Sequence, residues 1–139
     1  MRALAWIGRL VAGAYFIFGG LNHFFNVRTL GSYAASKGVP APEFLVICSG
    51  ALLLLGGISL ILGLWPKVGV GMIVLFLVIV TPAMHTLWNE TGMQRMAELA
   101  NFTKNLGLLG AVLSLLAIPE PWPASVKVPF PFVRRRVHA

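Results

Sequence analysis

Residues 44–65 read FLVICSGALLLLGGISLILGLW, a stretch of 22 residues that contains no charged side chain. A helix needs about 20 mainly apolar residues to cross the hydrocarbon core of a bilayer. The stretch shows no alternation of apolar and polar residues, and a helix satisfies its own backbone hydrogen bonds within lipid. It therefore predicts a membrane-spanning helix.

Three further apolar stretches predict helices of the same kind. They cover residues 3–25, 68–88 and 102–118. The fourth is short and has Lys104 near its start, where a long side chain can reach the membrane interface. Only the tight turn Pro66-Lys67 separates the second stretch from the third. We therefore expect an all-α fold, a four-helix transmembrane bundle.

The remaining connections are longer and more polar. Residues 26–43 contain the run Gly38-Val39-Pro40-Ala41-Pro42, which reads as an irregular loop that ends at a helix start. Residues 89–101 are polar and are compatible with an interfacial helix. The five prolines after the fourth stretch favour extended chain. We accordingly divide the chain into a four-helix transmembrane domain at 1–118 and a Pro-rich basic cytoplasmic tail at 119–139.

The composition agrees with a protein that lives in lipid. Charged residues make up 11% of the 139 residues, and hydrophobic residues make up 58%. A soluble domain carries roughly 25% charged residues. The formal net charge is +7, but the basic residues lie at the ends of apolar stretches and do not alternate with aromatic residues. We therefore exclude nucleic acid as a partner and expect a lipid membrane.

The distribution of Lys and Arg predicts the orientation in the membrane. With four spans, the N-terminus, the second turn and the tail share one side, and this side holds Arg2, Lys67, Lys127, Arg134, Arg135 and Arg136. The other side holds Arg28, Lys37, Arg95 and Lys104. Cytoplasmic loops carry an excess of Lys and Arg. We therefore expect both termini in the cytoplasm, and we interpret Arg134, Arg135 and Arg136 as contacts to anionic lipid.

Two histidines lie at matching depths in this topology. His23 lies near the end of the first span and His85 near the end of the third, so both reach the same, outward face. Cys48, Lys104 and Asn105 lie near the starts of spans two and four and fall at that face as well. Polar groups are costly in a membrane. This layer is therefore the candidate functional site.

Several kinds of chemistry suit this layer. Imidazole can coordinate haem, bond to a quinone or carry protons, although two interfacial histidines could also simply bond to loop backbone. Lys104 and Asn105 would start a helix whose free N–H groups favour an anion or a ligand carbonyl, while Lys104 alone could extend to the interface. We favour a quinone over haem, since a pair of histidines is a weak haem signal. The single cysteine allows neither a disulfide nor a Cys-based metal cluster, and we expect no metal site.

Small residues predict where the helices approach each other. The first span carries a stripe of Arg9, Gly13, Phe16, Gly20 and His23. The fourth span carries Gly107, Ala111 and Ser114 on one line. Small residues let membrane helices pack closely, so we expect both stripes in the bundle interior. Arg9 then needs a partner, which could be Glu120, a helix carbonyl or a lipid phosphate, and we expect a structural or lipid-binding role for it.

Four segments of the chain share their pattern with a known family. They are Phe18-Gly19-Gly20-Leu21-Asn22-His23-Phe24, Gly56-Gly57 with Leu62-Gly63-Leu64 and Lys67, His85-Thr86-Leu87-Trp88, and Phe102-Thr103-Lys104-Asn105-Leu106. In this order they resemble the first helix, the second helix and its turn, the His-x-x-Trp end of the third helix and the start of the fourth helix of the DoxX family of small bacterial membrane proteins. The resemblance extends over about residues 9–116. It implies a four-helix transmembrane bundle in the bacterial plasma membrane.

The resemblance also suggests a function. Members are associated with quinone-linked sulfur oxidation, as in thiosulfate:quinone oxidoreductase, and with membrane complexes that handle oxidative stress. It implies a subunit that supports such chemistry, with a cofactor-binding pocket formed by Asn22, His23, His85, Trp88, Lys104 and Asn105. In many members we expect an acidic residue three positions before the Gly-Gly of the second helix, and Leu53 stands there. A proton relay through that position is therefore in doubt.

A different class of function is also consistent with the sequence. The chain could be a non-enzymatic scaffold that recruits a partner through residues 26–43 or the basic tail, or that binds anionic lipid. It carries no dinucleotide-binding fingerprint and no cysteine pair. Electron transfer would therefore require a bound cofactor or a redox partner subunit. Whether the chain is itself catalytic, and whether it forms a homo-oligomer, are left open by the sequence.

Overall fold

A computed structural model describes residues 2–126, and these form helices and loops without a β-strand. The α-helices are α1 (Arg2–Phe25), α2 (Val27–Ser36), α3 (Pro42–Leu62), α4 (Pro66–Met84) and α5 (Gly92–Ser114), and a 3₁₀ turn follows at Leu115–Ala117. Four of them, α1, α3, α4 and α5, are long and apolar enough to cross a membrane. The predicted all-α fold with four spans is confirmed. Lys127, Arg134, Arg135 and Arg136 lie outside the described residues.

The irregular loop predicted at residues 38–42 is found up to Ala41, with Gly38 at φ of 79°, and α3 begins at Pro42 as expected. Ten of the residues before this loop form α2, which buries Gly31 and Ala34 and packs against α3. Two predicted span boundaries are wrong. The third spanning helix ends at Met84 and not at Trp88. The last spanning helix begins at Gly92 and not at Phe102. Its polar first turns stay helical because some of their side chains find partners inside the protein.

The closest helix pair is α1 with α3. Four glycines form the contact: a Cβ added to Gly20 would lie 2.9 Å from the Gly50 carbonyl oxygen, and one on Gly57 would lie 2.7 Å from that of Gly13. Gly13, Phe16 and Gly20 are all buried, which confirms the stripe predicted for the first span. As is common between membrane helices, small residues let the two backbones approach.

The stripe predicted on the last helix does not pack. A Cβ on Gly107 would meet no atom within 4 Å, and Ala111 and Ser114 are exposed. Instead α5 buries Glu98, Asn105 and Val112, which repeat every seven residues. Asn105 and Gly107 are two residues apart, or about 200° around a helix of 3.6 residues per turn. The small-residue stripe therefore lies on the opposite face, and the buried face is the one that carries a carboxylate and an amide.

The helices are arranged so that α1 and α5 are neighbours without extensive contact. α1 packs on α3, α3 on α4, and α4 on α5. A hydrophobic core runs between them, formed by Phe16, Leu53, Leu60, Val70, Ile73, Leu77, Val112 and Trp122. Many large apolar side chains face outward, including Phe18, Phe25 and Ile79. Such a surface suits lipid, and the side between α1 and α5 is left open.

Arg9 lies inside the protein at the end of the bundle opposite the histidines. Its side chain donates to the carbonyl oxygens of Pro123 at 2.8 Å and Ile61 at 3.3 Å, and it stacks over the Trp122 ring. Of the partners considered for it, the structure supplies a helix carbonyl. Glu120 pairs with Lys67 instead, at 3.5 Å. These contacts favour a structural role for Arg9 over a contact to lipid phosphate.

The same contacts hold residues 119–126 across the end of the bundle. The Val126 N–H donates to the Leu62 carbonyl at 2.9 Å. Gly63 ends α3 with φ of 63°, and a Cβ there would lie 2.7 Å from the Ser125 Cβ. A glycine is therefore required both by the backbone conformation and by the space. The bundle is closed at this end by its own chain.

Candidate functional site

A cavity of about 390 Å³ occupies the space between α1 and α5, near the other end of the bundle. Its floor is apolar and includes Leu53, Phe76 and Leu77. Most of its walls are apolar as well, and the polar side chains among them are Tyr15, Asn22, His23, Tyr33, His85, Lys104 and Asn105. We call it the α1–α5 cavity. Its size and its mix of apolar walls with a few polar groups are typical of small-molecule sites.

Five of the six predicted cofactor-binding residues line this cavity: Asn22, His23, His85, Lys104 and Asn105. The sixth, Trp88, does not. α4 ends at Met84, so Trp88 lies beyond the helix in the connection to α5, where 69% of it is exposed. Cys48 lines a second cavity described below. The expected convergence of histidines and the Lys-Asn pair on one space is thus found in the fold.

Asn105 is the most informative of these residues. It is only 7% exposed, it lines the cavity, and it makes no side-chain hydrogen bond to any of residues 2–126. Its amide atoms are accessible from the cavity and are not fully enclosed by protein. Polar groups in the interior of a protein nearly always bond to protein, water or a ligand. The Asn105 carboxamide therefore offers both a donor and an acceptor to a molecule in the cavity.

His23 is held by its own helix. Its Nδ1 lies 2.8 Å from the Gly19 carbonyl oxygen, and its ring packs edge-on against Phe76. A carbonyl oxygen only accepts, so Nδ1 must carry the hydrogen. Nε2 of the neutral ring is then an acceptor. The alternative of a bond to loop backbone is not what is seen, since the partner is a helix carbonyl.

His85 is held by a carboxylate. It caps the end of α4, and its Nδ1 lies 2.8 Å from Glu98 Oε2. The other Glu98 oxygen accepts from the Tyr33 hydroxyl at 2.5 Å and lies 3.1 Å from Lys37 Nζ. Lys37 also pairs with Glu90 at 2.9 Å. We call these five residues the Glu98 cluster, and two of them, Tyr33 and His85, line the α1–α5 cavity.

Tyr33 on α2 and Lys37 at the C-terminal cap of α2 have well-defined charge states. Burial, and then the bond to Glu98, raise the pKa of Tyr33 to about 12, so the phenol stays a neutral donor. The hydrogen bond to Glu90 raises the pKa of Lys37 above its usual range, and the one to Glu98 adds to this against the opposing effect of burial. Lys37 is therefore a cation that forms ion pairs with two carboxylates.

Lys104 and Asn105 do not start a helix, contrary to the prediction. α5 begins at Gly92, more than three turns earlier, so the backbone N–H groups near them are already bonded within the helix. An anion site built on a helix N-terminus is therefore absent here. The exposed Lys104 ammonium bonds to the Asn101 side-chain oxygen at 3.1 Å. This part of α5 therefore places an exposed cation, Lys104, beside a buried amide, Asn105.

Sequence reasoning missed Tyr33, Lys37, Glu90 and Glu98. Tyr33 and Lys37 are four residues apart and would share a face if residues 27–36 had been interpreted as a helix. Glu90 and Glu98 are half of the four acidic residues in the chain. Leu53 is indeed apolar and buried at the cavity floor. A carboxylate nevertheless approaches the cavity, from α5.

A second cavity of about 220 Å³ lies between α2, α3 and α4. It is almost entirely apolar and includes Leu45, Leu52 and Ile79. It shares residues with the α1–α5 cavity, namely His23, Leu30, Tyr33, Phe76, Val80 and Met84. The two spaces therefore adjoin across one wall of side chains.

Comparison with known proteins gives one match. A family model described as DoxX matches residues 4–86, more than half of the chain. No curated protein and no solved structure matches it. The matched range covers α1 to α4, together with His85. Glu98, Lys104 and Asn105 lie beyond it, on α5.

Proposed function

Because the chain belongs to the DoxX family and is a multi-pass membrane protein, we propose that it binds a quinone in the α1–α5 cavity and serves as a membrane subunit of quinone-linked redox chemistry. The observation that carries the proposal is Asn105. Its buried, unpartnered amide lines a cavity whose remaining walls are largely apolar and aromatic. A quinone ring offers that amide a carbonyl oxygen and offers the walls an apolar body.

The donors and acceptors fit such a head group. Asn105 NH₂ and the Lys104 ammonium can donate to a quinone oxygen, and the two rings of Phe16 and Phe76 can pack against the ring system. The open side between α1 and α5 would let a prenyl tail extend from the cavity into the bilayer. The residues present therefore fit the group that the family resemblance implies.

The chain's own contribution is binding and proton handling. A bound quinone would supply the two-electron chemistry, and the electrons would come from a redox partner subunit. The polar side chains orient the ring, and the apolar floor around Leu53 and Leu77 excludes water from it. The role is thus that of a quinone-binding subunit rather than of a self-sufficient enzyme.

Replacing Asn105 tests the proposal. Asn105→Leu should weaken binding of a short-tailed ubiquinone analogue about tenfold, because one buried hydrogen bond is worth about 1 kcal/mol or slightly more. It should not lower the melting temperature, since the amide has no protein partner to lose. Binding is measured by fluorescence quenching in lipid nanodiscs.

The matched control is Asn89→Leu, the same change at an exposed residue outside the cavity. It should leave the quinone affinity unchanged. Wild-type protein that binds no quinone would overturn the proposal, and so would an Asn105→Leu variant that binds as tightly as the wild type.

We further propose that the protein lies in the bacterial plasma membrane with both termini in the cytoplasm and the α1–α5 cavity near the outer face. The excess of Lys and Arg on the terminal side supports this orientation.

Cysteine labelling in intact cells checks the orientation. In a Cys48→Ser background, an impermeant maleimide should label Arg28→Cys without cell lysis, and should label Lys67→Cys only after lysis. Both positions are exposed on the protein, at opposite ends of the bundle. The reverse pattern would show that the cavity faces the cytoplasm.

A further inference from the structure

The Glu98 cluster gives the cavity wall an acid–base function. We propose that His85 exchanges protons with a ligand in the α1–α5 cavity through its Nε2, and that Glu98 is the positioning residue that holds the ring for this purpose. The identity of the ligand rests on the proposed function. The tautomer of His85 does not rest on that function, because it follows from contacts within the protein.

The hydrogen-bond pattern assigns the His85 tautomer. Glu98 Oε1 accepts from the Tyr33 hydroxyl, which is a neutral donor, and lies beside the Lys37 ammonium. A carboxyl oxygen surrounded by donors is a carboxylate, so Glu98 Oε2 is an acceptor for His85 Nδ1 at 2.8 Å. Nδ1 then carries the hydrogen. In the neutral ring Nε2 has the free electron pair, as in other histidines oriented by a carboxylate.

The cluster has a net negative charge while the His85 ring is neutral. Glu90 and Glu98 contribute two negative charges and Lys37 one positive charge, so the neutral-His85 state has a net charge of −1. An imidazolium at His85 would balance it. Glu98 is only 5% exposed at its side chain and Lys37 only 8%, so water screens this charge poorly.

Other groups near His85 do not balance this negative charge. Across the cavity α1 contributes His23, α5 contributes Lys104, and α3 contributes Leu53 to the lining. Lys104 is exposed and bonds to Asn101, so its charge is largely screened. His23 donates from Nδ1 to a carbonyl and has no carboxylate partner among the described residues. The cluster thus distinguishes His85 from the other cavity histidine.

The proposed step conserves atoms and charge. Nε2–H of the His85 imidazolium gives its proton to a negatively charged oxygen of the ligand, and the electron pair of that bond stays on Nε2. The neutral ring then takes up a proton at Nε2 from water, which reaches the 16% exposed His85 side chain. Glu98 and Lys37 keep their charges throughout.

The first test needs no ligand. In protein with ¹⁵N-labelled histidine, NMR in nanodiscs should show neutral His85 as the Nδ1–H tautomer, its signals being identified by their loss in His85→Gln. Glu98→Leu should abolish the preference for this tautomer, because it removes the acceptor of the Nδ1–H group. Glu43→Leu replaces an exposed glutamate outside the cluster and should leave the tautomer unchanged. A melting temperature for each variant separates this effect from unfolding.

A second test separates the two proposals. If wild-type protein binds no quinone but neutral His85 is the Nδ1–H tautomer and this depends on Glu98, the quinone function fails and the acid–base pair stands. If quinone binds and neutral His85 is the Nε2–H tautomer, or the tautomer is unchanged in Glu98→Leu, the acid–base inference is overturned. If both hold, addition of the quinone analogue should shift the Nε2 signal of His85.

Discussion

Substituting alanine for Gly57 should lower the free energy of unfolding by about 3 kcal/mol, the upper end of the usual cost of overpacking. The new Cβ would lie 2.7 Å from the Gly13 carbonyl oxygen and 2.9 Å from the Ile17 backbone nitrogen. Neither atom can move without moving α1 itself. Because α1 packs chiefly on α3, we expect α1 to shift away from the bundle and the α1–α5 cavity to change shape.

The matched control is Gly71→Ala. A Cβ at Gly71 on α4 would meet no atom within 4 Å, and the residue is exposed. Alanine is favoured over glycine within a helix by about 1 kcal/mol, so this variant should be as stable as the wild type or more stable. Thermal unfolding in one detergent compares the pair. Equal melting temperatures for the two variants would contradict the close α1–α3 approach.

Lys37→Met should destabilise the protein by about 3 kcal/mol or more, because removing one partner of a buried ion pair leaves uncompensated charge behind. Lys37 is the shared cation of Glu90 and Glu98, and its side chain is 8% exposed. Without it the two carboxylates lose their partner while Glu98 stays buried. We expect α2 to loosen from the rest of the bundle.

Melting temperatures measured in one detergent check this prediction, and a Lys37→Met variant as stable as the wild type would contradict it. Lys104→Met, at an exposed lysine, should change stability by no more than about 0.5 kcal/mol.

The membrane fold could be predicted from the sequence because lipid imposes a simple rule on it. Stretches such as residues 44–65 must be helical for their whole length to satisfy the backbone. The α1 stripe through Gly13 and Gly20 could be predicted for a similar reason, since close packing there requires small residues. Where apolar pattern and helix packing determine the structure, the sequence is informative.

The pattern of apolar residues does not predict helical segments that are rich in polar residues. α2 and the first turns of α5 are too polar to resemble spans, and they are ordered by contacts that join distant positions: Tyr33 and Glu98 are 65 residues apart. The pairing of His85 with Glu98 likewise depends on where α5 begins. Such long-range contacts have no periodicity, so the cavity could be anticipated from the histidines while the carboxylate beside it could not.

The open side between α1 and α5 determines whether ligand binding depends on the ligand's concentration in water or in the bilayer. A lipid-soluble molecule that enters there does so from the bilayer, where it diffuses in two dimensions and where its apolar part has already left water. The quantity that sets occupancy is then the mole fraction in the membrane and not the aqueous concentration. Burial of an apolar tail was already favourable in lipid and adds little to selectivity. Discrimination among membrane-soluble molecules must therefore come from the few polar atoms of the cavity.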